Sequence, residues 1–348
     1  MKIAIIGGGP AGLSAAKIAA KNGLSVTIFE RYKIGERINC AEGFFDFLGI
    51  CGKPEAGVLF PVKNIQLKIK SLHHIDSSEL NLWIIDRQKW QSHMAKQLHE
   101  MSVEIFEETP INTENLEGLK KDFDWLIDAS GVSALAMKSH GDRDQYRGQH
   151  ALTLQYKLEG DFSKYKNSLK AGLGPHFHGY YWIFPKSTSV NGAANVGIGT
   201  FNPTSRGINL KEELSRVLEE ENLRHYTVLE RRGGRIPFHP ATPFLRDNVL
   251  LVGDTAGLAS PLHGGGLDMA LLSGKMAAQS LIKGKPQTYE RLFLRKTRYK
   301  MAYERKIHEL WGELGIDFME RSIKTALFFG QRNFRRGLLR ALKSTIKI

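Results

Sequence analysis

The sequence predicts an α/β fold in which a parallel, nucleotide-binding sheet is interrupted by an inserted antiparallel sheet and followed by a helical C-terminal segment. A short apolar run at 2–6 is followed by a glycine cluster and an alanine-rich helical pattern. Alternating residues between 151 and 199 are typical of an antiparallel sheet. The 348 residues are enough for two intertwined domains.

The N-terminal segment predicts the first βαβ unit of the parallel sheet. Residues 2–6 are typical of a buried parallel strand, residues 10–22 follow helical periodicity, and residues 25–30 form a second strand. The turn between the first strand and the helix carries a Gly-rich sequence, so the chain starts on a fold of Rossmann type.

That turn, Gly7-Gly-Gly-Pro-Ala-Gly12, has the spacing GxGxxG. Gly7 permits the tight turn, Gly9 lets the backbone approach a pyrophosphate, and Gly12 lets the helix pack on the strand. Pro10 and Ala11 open the helix, whose free N–H groups and positive dipole end favour phosphate. All five residues are predicted to bind a dinucleotide cofactor.

Acidic and basic residues around the second strand complete this half of the predicted site. Glu30 ends the strand, where a carboxylate accepts hydrogen bonds from a ribose 2′-OH and repels a 2′-phosphate, which favours FAD or NAD over NADP. Arg31 and Arg37 follow that strand, and Arg87 begins a later helix. We predict that these arginines bind cofactor; for Arg37 and Arg87, ordinary surface charges are the alternative.

The pattern along the rest of the chain separates the two sheets. Further strands are predicted at 62–70, 80–85, 103–106, 125–128, 151–156, around 180–199 and at 248–254. Helices are predicted at 88–101, 211–222, about 265–282, and through most of the remainder. This divides the chain into a discontinuous nucleotide-binding domain (1–55, 88–145, 240–285), a substrate domain (56–87, 146–239) and a basic helical C-terminal region (286–348).

A second glycine-rich segment, 252–266, decides between the two dinucleotides. It follows a buried strand and contains five glycines and a proline. The carboxylate of Asp254 is suited to a ribityl hydroxyl, and a helix beginning near Gly265 can point N–H groups at the flavin edge that becomes anionic on reduction. With Gly264 and Gly266 beside it, and Gly131 after the strand at 125–128, this segment predicts FAD.

The same segments resemble a known family. They are 7–12 with Glu30, 254–266, 179–185 followed by 194–199, 40–43 and 233–237. Together they are similar to the geranylgeranyl reductase family, which shares the wider fold of flavin aromatic hydroxylases. The resemblance implies a noncovalent FAD that passes a hydride to a carbon–carbon double bond of a prenyl chain, inside an apolar cavity that excludes water.

The resemblance leaves the electron donor open between NAD(P)H and a reduced protein carrier. It also leaves a rival open, because flavin halogenases and hydroxylases carry related patterns: an FAD-dependent monooxygenase of an aromatic small molecule. A second glycine motif and a CxxxxC pair are absent from the sequence, which argues against a disulfide reductase with two dinucleotide domains. We predict no metal site.

Candidate catalytic residues lie in the loops that resemble the family. Cys40 belongs to a cysteine-containing loop and His263 to the glycine-rich turn. The alternatives are a packing role for Cys40 and a capping role for His263. Four aromatic residues are predicted to line a lipid cavity, with ordinary core packing as the alternative: Tyr180, Tyr181, Trp182 and Phe184.

Composition adds expectations about location and partners. No apolar run is long enough to span a bilayer, and no signal peptide is recognisable. The two cysteines, Cys40 and Cys51, do not form a CxxC pair and indicate no disulfide framework. We therefore expect a cytoplasmic protein. From 291 onwards, 15 Lys and Arg residues face five Asp and Glu residues, a net charge of about +10.

This basic region indicates an anionic partner. Residues 317–348 interleave apolar residues with cations at helical spacing, which predicts an amphipathic helix in the interface of an anionic membrane, on its inner face. The alternative is a helical pair packed on the flavin domain with a solvated basic face. A third hypothesis, a flavoprotein whose tail binds RNA, lacks any recognised RNA-binding motif, so nucleic acid is not expected.

Overall fold

The structure, a computed structural model, describes residues 1–141, 150–174, 177–201 and 208–330. Its strands are β1 (Lys2–Ile6), β2 (Ser25–Phe29), β3 (Gly43–Phe45), β4 (Val58–Pro61), β5 (Asn64–Lys68), β6 (Leu72–Asp76), β7 (Leu82–Ile85), β8 (Glu104–Phe106), β9 (Trp125–Asp128), β10 (His150–Gly160), β11 (Ser168–Leu173), β12 (Gly179–Ser187), β13 (Gly192–Thr200), β14 (Thr227–Pro237), β15 (Leu245–Arg246) and β16 (Val249–Leu251). Its helices are α1 (Pro10–Lys21), α2 (Arg87–Glu100), α3 (Thr113–Asp122), α4 (Leu135–Ser139), α5 (Leu210–Glu220), α6 (Leu267–Ile282) and α7 (Tyr289–Gly330).

The first sheet has six strands in the order β15-β16-β9-β1-β2-β8. Apart from the antiparallel β15–β16 edge pair, its neighbours are parallel. Its central strands are continuous apolar runs because helices cover them: the side chains of Ile3, Ile5 and Leu250 are fully buried. All six strands come from the segments that the sequence predicted for the nucleotide-binding domain, and the predicted α/β fold is confirmed.

The second sheet has seven strands in the order β14-β10-β13-β12-β11-β5-β6. It is antiparallel except for the parallel pair β5–β11. Its strands come from the predicted substrate domain. On one face, α5 covers a core that includes Ile183 and Val196. A small third sheet has the order β3-β7-β4, and its strands β4 and β7 flank β5 and β6 in the chain.

The long helix α7 contacts both large sheets. Its first turns bury Phe293 in the core of the parallel sheet, and its later turns bury Trp311 and Met319 against the open face of the antiparallel sheet. Gly315 interrupts the helix with a φ of 70°, a left-handed conformation that glycine tolerates. Among the described helices, none combines the length and the apolar character needed to cross a bilayer.

The packing of α7 contradicts one alternative for the basic region, the helical pair packed on the flavin domain. Phe318, Met319 and Ile323 pack on the antiparallel sheet, not on the flavin domain. Phe328, in contrast, is 75% exposed. Residues 331–348, which carry most of the cations of the predicted membrane helix, lie outside the described residues.

Candidate cofactor and active site

A cleft of about 480 Å³ opens at the carboxyl ends of the parallel strands and extends under β10, β12 and β14. This is where open α/β sheets bind their ligands. Every site residue predicted from the sequence lines the cleft except Gly12 and Tyr181. The two glycine-rich segments, which lie about 250 residues apart in the chain, are neighbours in the cleft wall: a Cβ on Gly253 would lie 3.1 Å from the Cβ of Ala11.

The three motif glycines have different surroundings. A Cβ on Gly7 would lie 2.4 Å from the carbonyl oxygen of Ala129, and its φ is 106°. A Cβ on Gly12 would lie 2.0 Å from the carbonyl oxygen of Gly7, so Gly12 allows α1 to pack directly on the turn. A Cβ on Gly9 would meet nothing within 4 Å. Gly9 therefore borders open space, as a residue beside a pyrophosphate must.

The first helix offers unpaired donors to that space. Gly9 is its N-cap and no side chain caps it. The Glu30 carboxylate is fixed at the end of β2, since its Oε2 accepts from the N–H of Gly8 at 2.6 Å and its Oε1 from the N–H of Tyr32 at 3.1 Å. A dinucleotide diphosphate and an adenosine ribose fit the two positions.

The arginines close the same end of the cleft. Arg31 donates from Nη2 to Ser133 Oγ at 2.7 Å, which bridges the cleft mouth, and the Arg37 guanidinium lies 4.3 Å from the ring centre of Tyr32. Arg87 is held by Gln91, whose Oε1 accepts from Nε at 3.0 Å and from Nη2 at 2.6 Å. Each of these cations therefore has a neutral neighbour that positions it, and the charge of Arg87 also acts on Asp254.

The second glycine segment lines the cleft beside the first. Asp254 follows Gly253, whose φ of 59° turns the chain out of β16. Burial raises the pKa of Asp254, and the positive charge of Arg87 opposes that shift. Gly266 precedes α6 as an N-cap without a side-chain capping bond, and it lines the cleft beside Asp254.

Asp128 is an organising residue that the sequence analysis missed. It is fully buried at the end of β9, and its carboxylate accepts from the N–H groups of Ser130 at 3.0 Å and Ala136 at 2.8 Å. Burial raises its pKa. Thr255 Oγ1 in turn donates to the Gly131 carbonyl at 3.1 Å. An acid at the end of a buried strand was the available signal.

His263 performs the capping role given as its alternative, because its Nδ1 accepts from the Gly265 N–H at 3.1 Å. Its Nε2 lies 3.4 Å from Oε1 of Glu304 on α7. Burial acts to raise the pKa of Glu304, but the hydrogen bond from His263 and the charge of Lys300 outweigh it and hold that pKa at about 2. The glycine-rich turn is therefore fastened to α7 by a buried carboxylate that no sequence pattern indicated.

The aromatic wall of the cleft comes from β12. Tyr180, Trp182 and Phe184 alternate on the cleft face, and Tyr180 Oη donates to the carbonyl of His263 at 2.9 Å. The prediction for Tyr181 is wrong: its side chain lies on the opposite face, buried under α5, and its Oη donates to Glu221 at 2.8 Å. Neighbouring residues of a strand point to opposite faces.

Comparisons with known proteins agree with this geometry. The sequence profile of the pyridine nucleotide-disulphide oxidoreductase family matches residues 1–198. A digeranylgeranylglycerophospholipid reductase 2 from Methanothermobacter thermautotrophicus is 27% identical over 335 residues, 88% of this chain and 83% of that protein. A digeranylgeranylglycerophospholipid reductase 1 from Methanococcoides burtonii is 27% identical over 311 residues, 80% of this chain and 74% of that protein.

Among solved structures, a geranylgeranyl bacteriochlorophyll reductase-like protein from Thermoplasma acidophilum superposes with a TM-score of 0.80. It is 23% identical, and the match covers 92% of this chain and 89% of that one. The resemblance predicted from the sequence motifs is thereby confirmed, and the chain is an FAD-dependent oxidoreductase.

Proposed function

Because the chain belongs to the pyridine nucleotide-disulphide oxidoreductase family, we propose that it is an FAD-dependent reductase of carbon–carbon double bonds in a polyprenyl, geranylgeranyl-type lipid. The observation that carries the proposal is the cleft itself. One end has the glycines, uncapped helix starts and Asp254 that suit FAD, and the adjoining wall has three aromatic side chains that suit an apolar chain.

Bound FAD supplies the hydride when it is reduced. Reduction of an isolated alkene also needs a proton at the other carbon, and Cys40 and His263 are our candidates to hold it, since both lie on the cleft wall. Because His263 Nδ1 accepts from Gly265, the neutral ring carries its proton on Nε2, directed to Glu304. Because that arrangement engages the His263 proton, it favours Cys40 as the proton donor.

The aromatic wall orients the substrate and excludes water. Trp182 is fixed by a hydrogen bond from its Nε1 to Gln155 Oε1 at 3.0 Å, and Tyr180 by its bond to the His263 carbonyl. Rings held in this way keep their faces toward the cleft, where a prenyl chain gains buried apolar area and the reacting bond is kept away from solvent.

The test is anaerobic mixing of the dithionite-reduced protein with a geranylgeranyl lipid. We expect flavin reoxidation without O₂ and a product heavier by two hydrogens. A Gly9→Val variant, prepared in parallel, controls for reduction by dithionite alone. Reoxidation that requires O₂, together with a hydroxylated aromatic product, would instead support the monooxygenase alternative and refute the proposal.

We further propose that NAD(P)H or a reduced protein carrier supplies the electrons. We propose a cytoplasmic enzyme that attaches peripherally to the inner face of the membrane. A lipid substrate lives in that bilayer, and each cation near an anionic surface adds about 1 kcal/mol at modest salt.

Sedimentation with anionic and neutral vesicles tests the attachment. The truncated protein should end at Gly330. Ending it at the helix interruption near Gly315 would also remove residues 316–323, which pack on the antiparallel sheet and include Glu320, a partner of Ser71. We expect the full-length protein to bind anionic vesicles at low salt and the truncated protein to lose this binding. Equal binding by both proteins would show that residues 331–348 are not needed for attachment and would contradict this part of the proposal.

A further inference from the structure

Glu42 differs from the other acidic residues of the cleft in combining burial, charge and an unusual backbone. Its φ is 68°, in the left-handed region that glutamate rarely adopts. Its side chain is only 10% exposed. A backbone conformation of this kind persists only where surrounding contacts impose it.

Three elements supply those contacts. Glu42 Oε1 accepts from the backbone N–H of Arg87, at the start of α2, at 2.9 Å. Oε2 accepts from Asn195 Nδ2 on β13 at 2.9 Å and pairs with Lys186 Nζ on β12 at 2.8 Å. Burial lowers the pKa of Lys186, and the charge of Glu42 opposes that shift. The carboxylate therefore ties the loop to α2 and to the antiparallel sheet, and it neutralises a buried cation.

The same loop carries Cys40, and its polar groups are bound from both sides. The backbone N–H of Glu42 donates to Cys40 Sγ at 3.2 Å. Gln155 Nε2 donates to the carbonyl of Cys40 at 3.2 Å, and Asn195 Nδ2 donates to the carbonyl of Ala41 at 3.1 Å. The direction of the Glu42 N–H follows from the left-handed φ that its side chain enforces.

We infer that Glu42 is the positioning residue that holds the Cys40 thiol at the cleft wall, through the backbone N–H that its buried carboxylate orients. Glu42 acts through Cys40, as a positioning residue and not as a catalytic one. The inference rests on the proposed function only in giving Cys40 a catalytic task; the positioning itself is a property of the protein without lipid.

Alkylation of Cys40 by iodoacetamide measures the positioning directly. The background is Cys51→Ser, which leaves Cys40 as the only thiol. In Glu42→Gln we expect alkylation at pH 7 to become roughly 3–10-fold faster, because the loop loses its ion pair and the thiol loses a neighbouring negative charge. Glu36→Gln is the matched control: it removes the same charge from an exposed residue of the same cleft loop.

The Glu42→Gly variant distinguishes the effect of the carboxylate from the effect of the backbone conformation. Glycine keeps the left-handed conformation at no steric cost while it deletes the side chain. If the carboxylate holds the loop, this variant alkylates as fast as Glu42→Gln. Wild-type kinetics in Glu42→Gly, or in Glu42→Gln with normal thermal unfolding, would overturn the inference.

The pH profile of alkylation provides a readout that a merely structural role would not give. Glu42→Gln removes a negative charge and Lys186→Met a positive one, so the pH of half-maximal alkylation should move down in the first and up in the second. Among the other charged and titratable groups, Tyr180 on β12 interacts electrostatically with Cys40, Arg232 on β14 donates to the carbonyl of Ile38 in the same loop, and Arg87 on α2 lines the same cleft. Both variants retain all three.

Shifts in the same direction would mean a general loosening of the loop and refute the inference. Alkylation needs no lipid, so the two hypotheses fail separately. Expected alkylation without any prenyl reduction would refute the proposed function alone. Prenyl reduction with unaltered alkylation in all Glu42 variants would refute the positioning role alone.

Discussion

Gly9 and Gly12 of the first turn, which are three residues apart, should respond differently when they gain a side chain. A Cβ on Gly12 would lie 2.0 Å from the Gly7 carbonyl oxygen, so α1 must move away from the turn by about 1 Å to restore a normal contact. Overpacking of this kind costs about 1–3 kcal/mol, and the better helix propensity of alanine returns about 1 kcal/mol. The net cost of up to about 2 kcal/mol should lower the Tm of the FAD-free Gly12→Ala protein by up to roughly 8 °C.

Gly9→Val should leave that protein nearly intact. The residue is an extended N-cap with φ of −76°, and a Cβ there meets nothing within 4 Å. The expected cost is about 0.5 kcal/mol, from a poorer N-cap. FAD binding should nevertheless be lost, because the valine side chain occupies the place of the pyrophosphate.

The assay combines thermal unfolding of the FAD-free proteins with titration of FAD, followed by flavin fluorescence. The reasoning is refuted if Gly9→Val binds FAD like the wild type, since the open space beside Gly9 would then not be the pyrophosphate site. It is equally refuted if Gly9→Val loses as much stability as Gly12→Ala.

Three further changes have expected outcomes. Asp254→Ala should weaken FAD binding by roughly 1.5–3 kcal/mol through loss of a charge-assisted hydrogen bond; unchanged affinity in a fluorescence titration would leave Asp254 a structural role. Cys40→Ser should slow alkene reduction with normal FAD content, and equal turnover, with Cys51→Ser as the control, would return Cys40 to a packing role. Burial lowers the pKa of His178 from 6.5 to about 4, so the neutral ring is favoured in the folded state and stability is lost as pH falls from about 6.5 towards 4. His178→Phe should therefore flatten the acid limb of a urea-unfolding series, and an unchanged slope would contradict this origin.

The elements predicted correctly are those whose apolar pattern is strong. The strand at 125–128 and the helix that begins beside Asp86 were both found, since one is a buried apolar run and the other has an N-cap that accepts from Lys89 at 3.0 Å. β14 was missed because, as a sheet edge, it is largely exposed and its sequence is rich in arginine and glycine. α3 was missed because only Leu116 is buried along it.

The residues of the candidate site also fall into those that the sequence predicts and those that it does not. Glycines, whose chemistry is local, could be found from spacing alone. Glu42, Glu304 and Asp128 could not, because each owes its importance to partners that lie far away in the chain. The error at Tyr181 was avoidable: the alternation of a strand places it opposite Tyr180, so both could not line one cavity.

The interleaving of the two sheets along the chain has a consequence for how the protein is made. The antiparallel sheet needs β14, which ends at Pro237, and the parallel sheet needs β16, which ends at Leu251. A ribosome adding about 5–20 residues per second therefore needs roughly 12–47 s to reach the end of β14 and roughly 13–50 s to reach the end of β16. During that interval the edges of both half-built sheets are open to wrong partners. Long-range pairing of this kind is slow, and we expect the nascent chain to depend on chaperones until β16 has left the exit tunnel.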